Sequence, residues 1–286
     1  MPVAVPVADL PVQPFVAHEL GAGLLASAVA EGPVDPSDRG AAAPGGEVVW
    51  RHESAWWGSG ERSMGEGRVQ LVTGPDGVTQ LSRLELSGMP LTLRIRPRLG
   101  DAFDLSILGG SADQVWTGAD TRRGFWRFYT PITLTALGIS NTDYDADRKV
   151  KAYVQAGLGA GGELQVGVVG PVGLYLRAEG EARSLNRHQG DARNQVRHEV
   201  LGELVGGVSL GWPSVSLRMV AWGELVSQWE TRDADGASGV DRQLQAMGAR
   251  LVVRLVPDPV EAPRPRRKPP VDGVAAVAAP GERPAG

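Results

Sequence analysis

The sequence predicts an all-β chain: an up-and-down antiparallel β-barrel of about ten to twelve strands, with disordered N- and C-terminal extensions. Three observations carry this. Hydrophobicity alternates with a period of two, the alternating segments are long, and the connections between them are long and short in turn.

The period is plainest in residues 173–183, GLYLRAEGEAR. One parity holds Leu174, Leu176, Ala178, Gly180 and Ala182; the other holds Tyr175, Arg177, Glu179, Glu181 and Arg183. Successive side chains of a strand point to opposite faces, so one face is apolar and the other charged. Residues 150–168 keep every even position apolar or small, through the run GLGAGG, so a single long strand is expected there, with Gly157, Gly159 and Gly161 on the polar face making room for a large neighbour. Residues 124–136, 200–212, 215–229 and 243–255 alternate in the same way, setting Glu199, Glu203, Arg218, Glu224, Arg250 and Arg254 opposite apolar rows. Residues 68–117 read as shorter, less regular strands, the clearest opposing Met89, Leu91, Leu93 and Ile95 to Thr92, Arg94, Arg96 and Arg98. Three zones follow: a Pro/Ala-rich segment over 1–47 that combines a candidate export signal with a linker, a barrel over 48–257, and a disordered Pro/Ala-rich tail over 258–286. The export candidate is GAGLLASAVAEG, residues 21–32, with Ala28-Val29-Ala30 as a small-residue cleavage site, although the first basic residue is Arg39.

Length and connections decide which face is the inside. Strands of globular proteins usually run five or six residues. Residues 215–229, rising roughly 3.3 Å per residue at a tilt near 45°, span about 33 Å along a barrel axis, enough to cross a thin bilayer. Trp212 and Trp229 then fall near opposite ends of one hairpin, where interfacial aromatic residues belong. The connections ISNTDYDADR, SLNRHQGDARNQV and ETRDADGASGVD are long, while GPVG and WPS are tight, which gathers the long loops at one end.

In these features residues 120–256 resemble the small outer-membrane β-barrel proteins of Gram-negative bacteria, and residues 48–119 resemble them loosely. The last strand carries part of that family's assembly signal, Gly248 followed by Leu251 and Val253, but lacks a terminal aromatic residue and is followed by about thirty more residues. The resemblance implies a monomeric transmembrane barrel in the cell outer membrane, in contact with outer-membrane lipid, with a structural or narrow-pore role. Its long surface loops are then open to a protein or ligand. Arg177, Glu179, Glu181, Arg183, Glu199, Glu203, Arg218, Glu224, Arg250 and Arg254 become a lumen charge network whose expected role is structural. The alternation also allows a soluble periplasmic or secreted barrel, in which the apolar face holds an apolar ligand or a protein partner and the Arg/Glu rows meet water.

Composition narrows the chemistry. A net charge of −4 gives no sign of a nucleic-acid surface, so no nucleic-acid partner is expected, and the absence of cysteine removes disulfides, thiolate metal sites and cysteine nucleophiles. No apolar run reaches the 18 residues of a spanning helix. No cofactor or metal is expected: NTDYDAD (141–147) lacks the glycine and closing glutamate of a calcium loop, and GLGAGG lies within a strand rather than before a helix. Neither is an enzyme expected. The alternative is a hydrolase at the barrel rim built from His188 and His198 with Asp191 and Glu199 nearby, for which no nucleophile motif is present. RPRRKPP in the tail reads as a solvated linker.

Overall fold

The computed structural model describes residues 14–31, 41–56, 61–88, 90–99, 101–121, 124–142, 150–187, 195–212, 215–232 and 242–255. They form twelve strands: β1 Pro14–Glu31, β2 Ala43–Trp56, β3 Glu61–Thr73, β4 Thr79–Ser87, β5 Thr92–Arg96, β6 Asp101–Thr121, β7 Gly124–Thr142, β8 Lys151–Val169, β9 Val172–Arg187, β10 Gln195–Trp212, β11 Val215–Arg232 and β12 Arg242–Leu255. Each strand pairs antiparallel with its sequence neighbours, and β1 pairs with β12 over fourteen residues from His18↔Leu255 to Glu31↔Arg242, closing the barrel. Closure leaves no free edge, which is what a sheet needs where no water can satisfy its backbone.

The sequence reading places residues 1–47 outside the barrel, and the structure corrects that boundary over residues 14–31 and 43–47. Residues 21–31 of the candidate export segment are part of β1, and β2 begins at Ala43. β1 hid because its inward face, Glu19 apart, is itself mostly small or apolar, with Ala17, Gly21, Leu25 and Ser27 buried, so the polar–apolar contrast that marks the other strands is weak. Residues 1–13 and 256–286 lie outside the described residues.

Polarity runs apolar outside and charged inside. On β9 the outward Leu174, Leu176 and Ala178 are exposed, while the inward Tyr175, Arg177 and Glu181 are buried. On β10 the outward residues Val200, Leu204, Val208 and Leu210 are exposed against buried Glu199, Val205 and Ser209. At roughly 2.3 Å of axial rise per residue, the ten steps from Val200 to Leu210 make an apolar band about 23 Å tall, close to that of spanning barrels. This excludes a soluble calyx, whose apolar face would point inward.

Connections on the side of the two termini contain two to four residues, whereas four of the six at the other end contain seven to eleven. The two-residue turn after β8 uses Gly170 at φ 54°, left-handed backbone that glycine adopts without steric cost. Glycine also makes room on the inner wall. A Cβ on Gly161 would stand 2.4 Å from the ring of Tyr129, its register partner, and one on Gly138 would stand 2.3 Å from Tyr153. Both tyrosines therefore lie flat across a neighbouring glycine and are buried.

The wall has one irregular place. β4 and β5 are short, and below their hairpin β3 pairs directly with β6, Glu61–Ser63 against Gln114–Ala112. The barrel is thus twelve strands wide at the long-loop end and ten at the other. Gly109 N–H donates to the Pro90 carbonyl at 3.1 Å, tying the hairpin's tip to β6.

Candidate functional site: a charged lumen

The inward rows of every strand converge on the barrel axis. Among the described residues twelve arginines and eight carboxylates are buried there, and the half-buried Glu19, Glu66, Glu85, Glu179, Glu203 and Arg183 bring the two signs to near balance. Isolated charges in such a place would be very costly; interlocked Arg–carboxylate pairs offset that cost with charge-assisted hydrogen bonds.

Three clusters follow one another along the axis. Nearest the termini, Glu19 accepts from Arg218 at 2.8 Å and lies 3.2 Å from Arg254. Arg254 also reaches Glu53 at 4.0 Å, and Glu53 accepts from Arg127 at 2.8 Å. The Arg218 guanidinium lies 4.2 Å over the Tyr175 ring, whose hydroxyl donates to Glu163 at 2.9 Å. At mid-height Arg68 is the hub. It donates to Glu203 at 2.7 Å, Glu224 at 3.0 Å and Glu66 at 3.2 Å. Glu203 also faces Arg177 at 3.4 Å and Arg250 at 3.7 Å, and Glu224 is shared with Arg83. Trp222 is held between Arg250 and Arg68, 5.5 and 5.9 Å from its ring. Towards the long loops, Glu199 takes Arg96 at 2.6 Å, Arg183 at 3.5 Å and the Gln228 amide at 2.6 Å. Arg183 also bridges Glu181 at 2.7 Å, Arg94 bridges Glu85 at 3.0 Å, and Arg197 pairs with Asp104.

The ten charged residues singled out in the sequence all point into this lumen, but they are divided among the clusters. Arg218 and Arg254 lie at the terminal end, Arg177, Glu179, Glu203, Glu224 and Arg250 at mid-height, and Glu181, Arg183 and Glu199 towards the loops. Partners that tie them together come from β1 to β5, and sequence reasoning missed them as site residues: Glu19, Glu47, Glu53, Arg68, Arg83 and Arg96. A usable signal was present in residues 81–86, where Arg83 and Glu85 alternate with Leu84 and Leu86.

Between the clusters little space remains. One cavity of about 110 Å³ is bordered by Glu66, Arg68, Glu85, Ser111, Glu179 and Glu203, and another of about 40 Å³ by Arg51, Tyr175, Arg218 and Val252. Both fall well below the roughly 300 Å³ at which small-molecule pockets begin.

On the outer face, Trp229 stacks on His198 with ring centroids 5.4 Å apart, and His198 Nδ1 lies 2.9 Å from Ser184 Oγ. Glu199, next in sequence, points to the opposite face of the sheet, so it does not join His198 in a rim site. His188, Asp191 and the side chain of Trp212 lie outside the described residues, as do residues 143–149 of the acidic loop. GLGAGG is continuous β8.

No family model matches the chain, and no curated protein does either. Among solved structures it is similar to the outer membrane protease OmpT from Escherichia coli, at 7% identity and a TM-score of 0.33, over 89% of this chain and 99% of that one. It is similar to Neisserial surface protein A at 9% identity and a TM-score of 0.30, over 84% and 97%. An anion-selective porin from Comamonas acidovorans aligns at 10% identity and a TM-score of 0.19, over 84% and 99%. With likeness this slight, the chain's own wall and lumen define its class: a closed antiparallel barrel with the polarity of a membrane-spanning protein.

Proposed function

We propose that the protein is an outer-membrane β-barrel with a plugged lumen, a structural element of the cell envelope whose long connections face the exterior. The observation that carries this is the pairing of two opposite surfaces. An exterior of exposed Leu, Val and Met encloses an interior filled by mutually paired Arg and Glu. Small barrels filled by side chains conduct little, and the cavities of about 110 and 40 Å³ described above are small. A monomer in contact with lipid accords with a closed wall apolar on many sides, and a protein or ligand at the long connections remains part of the proposal.

A structural rather than enzymatic role is supported by the setting of Ser184 and His198. Both belong to paired strands, where the neighbouring backbone N–H groups are engaged in the sheet and do not converge on an oxyanion. The test has two stages. Carbonate- and urea-washed envelopes should retain the protein, with faster gel mobility unboiled than boiled. In planar bilayers the purified barrel should show no steady conductance. Release by the washes without a mobility shift would overturn the membrane assignment, and sustained ohmic current would overturn the plug.

A second reading, a narrow pore, is favoured by the 110 Å³ cavity at mid-height. Under it, the wild type conducts and Arg68→Ala raises that conductance; under the plug, current appears only in the variant.

A further inference from the structure

Outside the lumen, two imidazoles stand side by side on the outer wall. His18 of β1 and His52 of β2 are register partners, and His18 is also opposite Leu255, the last described residue of β12. Their Nδ1 atoms lie 3.3 Å apart, with ring centroids 4.7 Å apart and planes tilted by 39°. His18 is exposed and His52 half-buried, two residues from the exposed Trp50, at the end of the barrel where the termini emerge.

The separation is informative. With no metal bound, one ring N–H donates to the other ring's Nδ1, in a hydrogen bond longer than the roughly 2.9–3.0 Å that is usual. Two nitrogen ligands at about 2.0–2.1 Å from one tetrahedral ion stand about 3.3–3.4 Å apart, whereas neighbouring ligands at a square-planar corner stand nearer 2.9 Å. We propose that His18 and His52 form a surface zinc site in which both Nδ1 atoms bind one Zn²⁺ and water fills the other two positions. Imidazole is a preferred zinc ligand, and paired backbones hold the two rings in place before the ion arrives, so the second ligand binds at high effective concentration. The ion then links β1 to β2 beside the β1–β12 closure, a clip across the first hairpin.

The experiment uses the full chain, folded in detergent, as wild type, His18→Gln, His52→Gln and the double variant, each checked for its heat-dependent gel shift. Zn²⁺ affinity is read by competition with a chromophoric chelator, and Co²⁺ absorption reports tetrahedral coordination. The wild type should take up one equivalent with tetrahedral Co²⁺ bands. Each single variant should bind about a hundredfold more weakly, and the double variant no more weakly than either single one, because one imidazole alone chelates nothing. Zn²⁺ should also raise the gel-shift midpoint temperature of the wild type only. Equal affinity in the wild type and the double variant, or independent additive losses in the single ones, would overturn the site. His188 and His198 are present in all four proteins, so their background cancels.

Discussion

Arg68 is where the account of the lumen is most exposed to test. Its side chain and that of Glu224 are each 5% accessible, and it donates to three carboxylates at 2.7–3.2 Å. Arg68→Met keeps much of the volume and removes the charge. Breaking a buried ion pair from one side typically costs about 3–5 kcal/mol, because the remaining charge keeps its desolvation and loses its partner. Redundancy sets where in that range Arg68 falls. Glu224 still has Arg83, Glu203 still has Arg177 and Arg250, and Glu66 still has Arg51 at 3.5 Å. No carboxylate is left wholly alone, which places the loss at the lower end, about 3 kcal/mol. Equilibrium urea unfolding in detergent, followed by tryptophan fluorescence, reads the loss directly. Adding Glu203→Gln should recover part of it, with a coupling of about 1–3 kcal/mol in the double-mutant cycle. Stability within about 0.5 kcal/mol of wild type for Arg68→Met, the range of ordinary surface changes, would refute the interlocked lumen.

Three further outcomes are expected. Leu204→Arg, on the outer face of β10, should cost about 2–4 kcal/mol near the middle of the bilayer, while Leu210→Arg towards the strand's end should cost about 0–1 kcal/mol; unfolding midpoints of the two variants compare the depths. Gly161→Val should displace the Tyr129 ring and its 2.8 Å hydrogen bond to Glu179, lowering stability by about 1–3 kcal/mol, and the gel-shift midpoint temperature should fall. Replacing Arg68, Arg83 and Arg177 together with Ala should enlarge the mid-height cavity that all three border and give a measurable bilayer current.

The long strands were legible because polarity and period coincide in them. In β9 Arg177, Glu179 and Glu181 each sit between outward apolar or small residues, so the face, the strand length and the turn at Gly170 could all be read along one line of sequence. The glycine row was legible for a similar reason: small residues on a polar face imply a large neighbour, and Tyr129 fills that place at Gly161. β1 was not legible because small or apolar residues on both of its faces, alanine and leucine outward and alanine, glycine and leucine inward, erase the contrast on which the period depends. Nor could the clusters be read. Arg68 and Glu224 are 156 residues apart, and their meeting depends on the barrel's closure and curvature rather than on local pattern. The short, irregular strands expected over 68–117 include β4 and β5, but the β3–β6 contact beneath their hairpin escaped for a related reason, since it joins segments separated by two other strands.

The chain contains no cysteine, so single cysteines can be placed and spin-labelled one by one without background. A scan of β10 from residue 199 to 210, in lipid vesicles, would report collision with oxygen, which concentrates in the hydrocarbon, and with a water-soluble nickel complex. Labels at 200, 204, 208 and 210 should show high oxygen accessibility, and labels at 199, 203, 205 and 209 should be shielded from both reagents, giving a strict period of two. A reversed phase, strong nickel accessibility at the odd positions, or no alternation would contradict a lipid-facing wall around a filled, charged lumen.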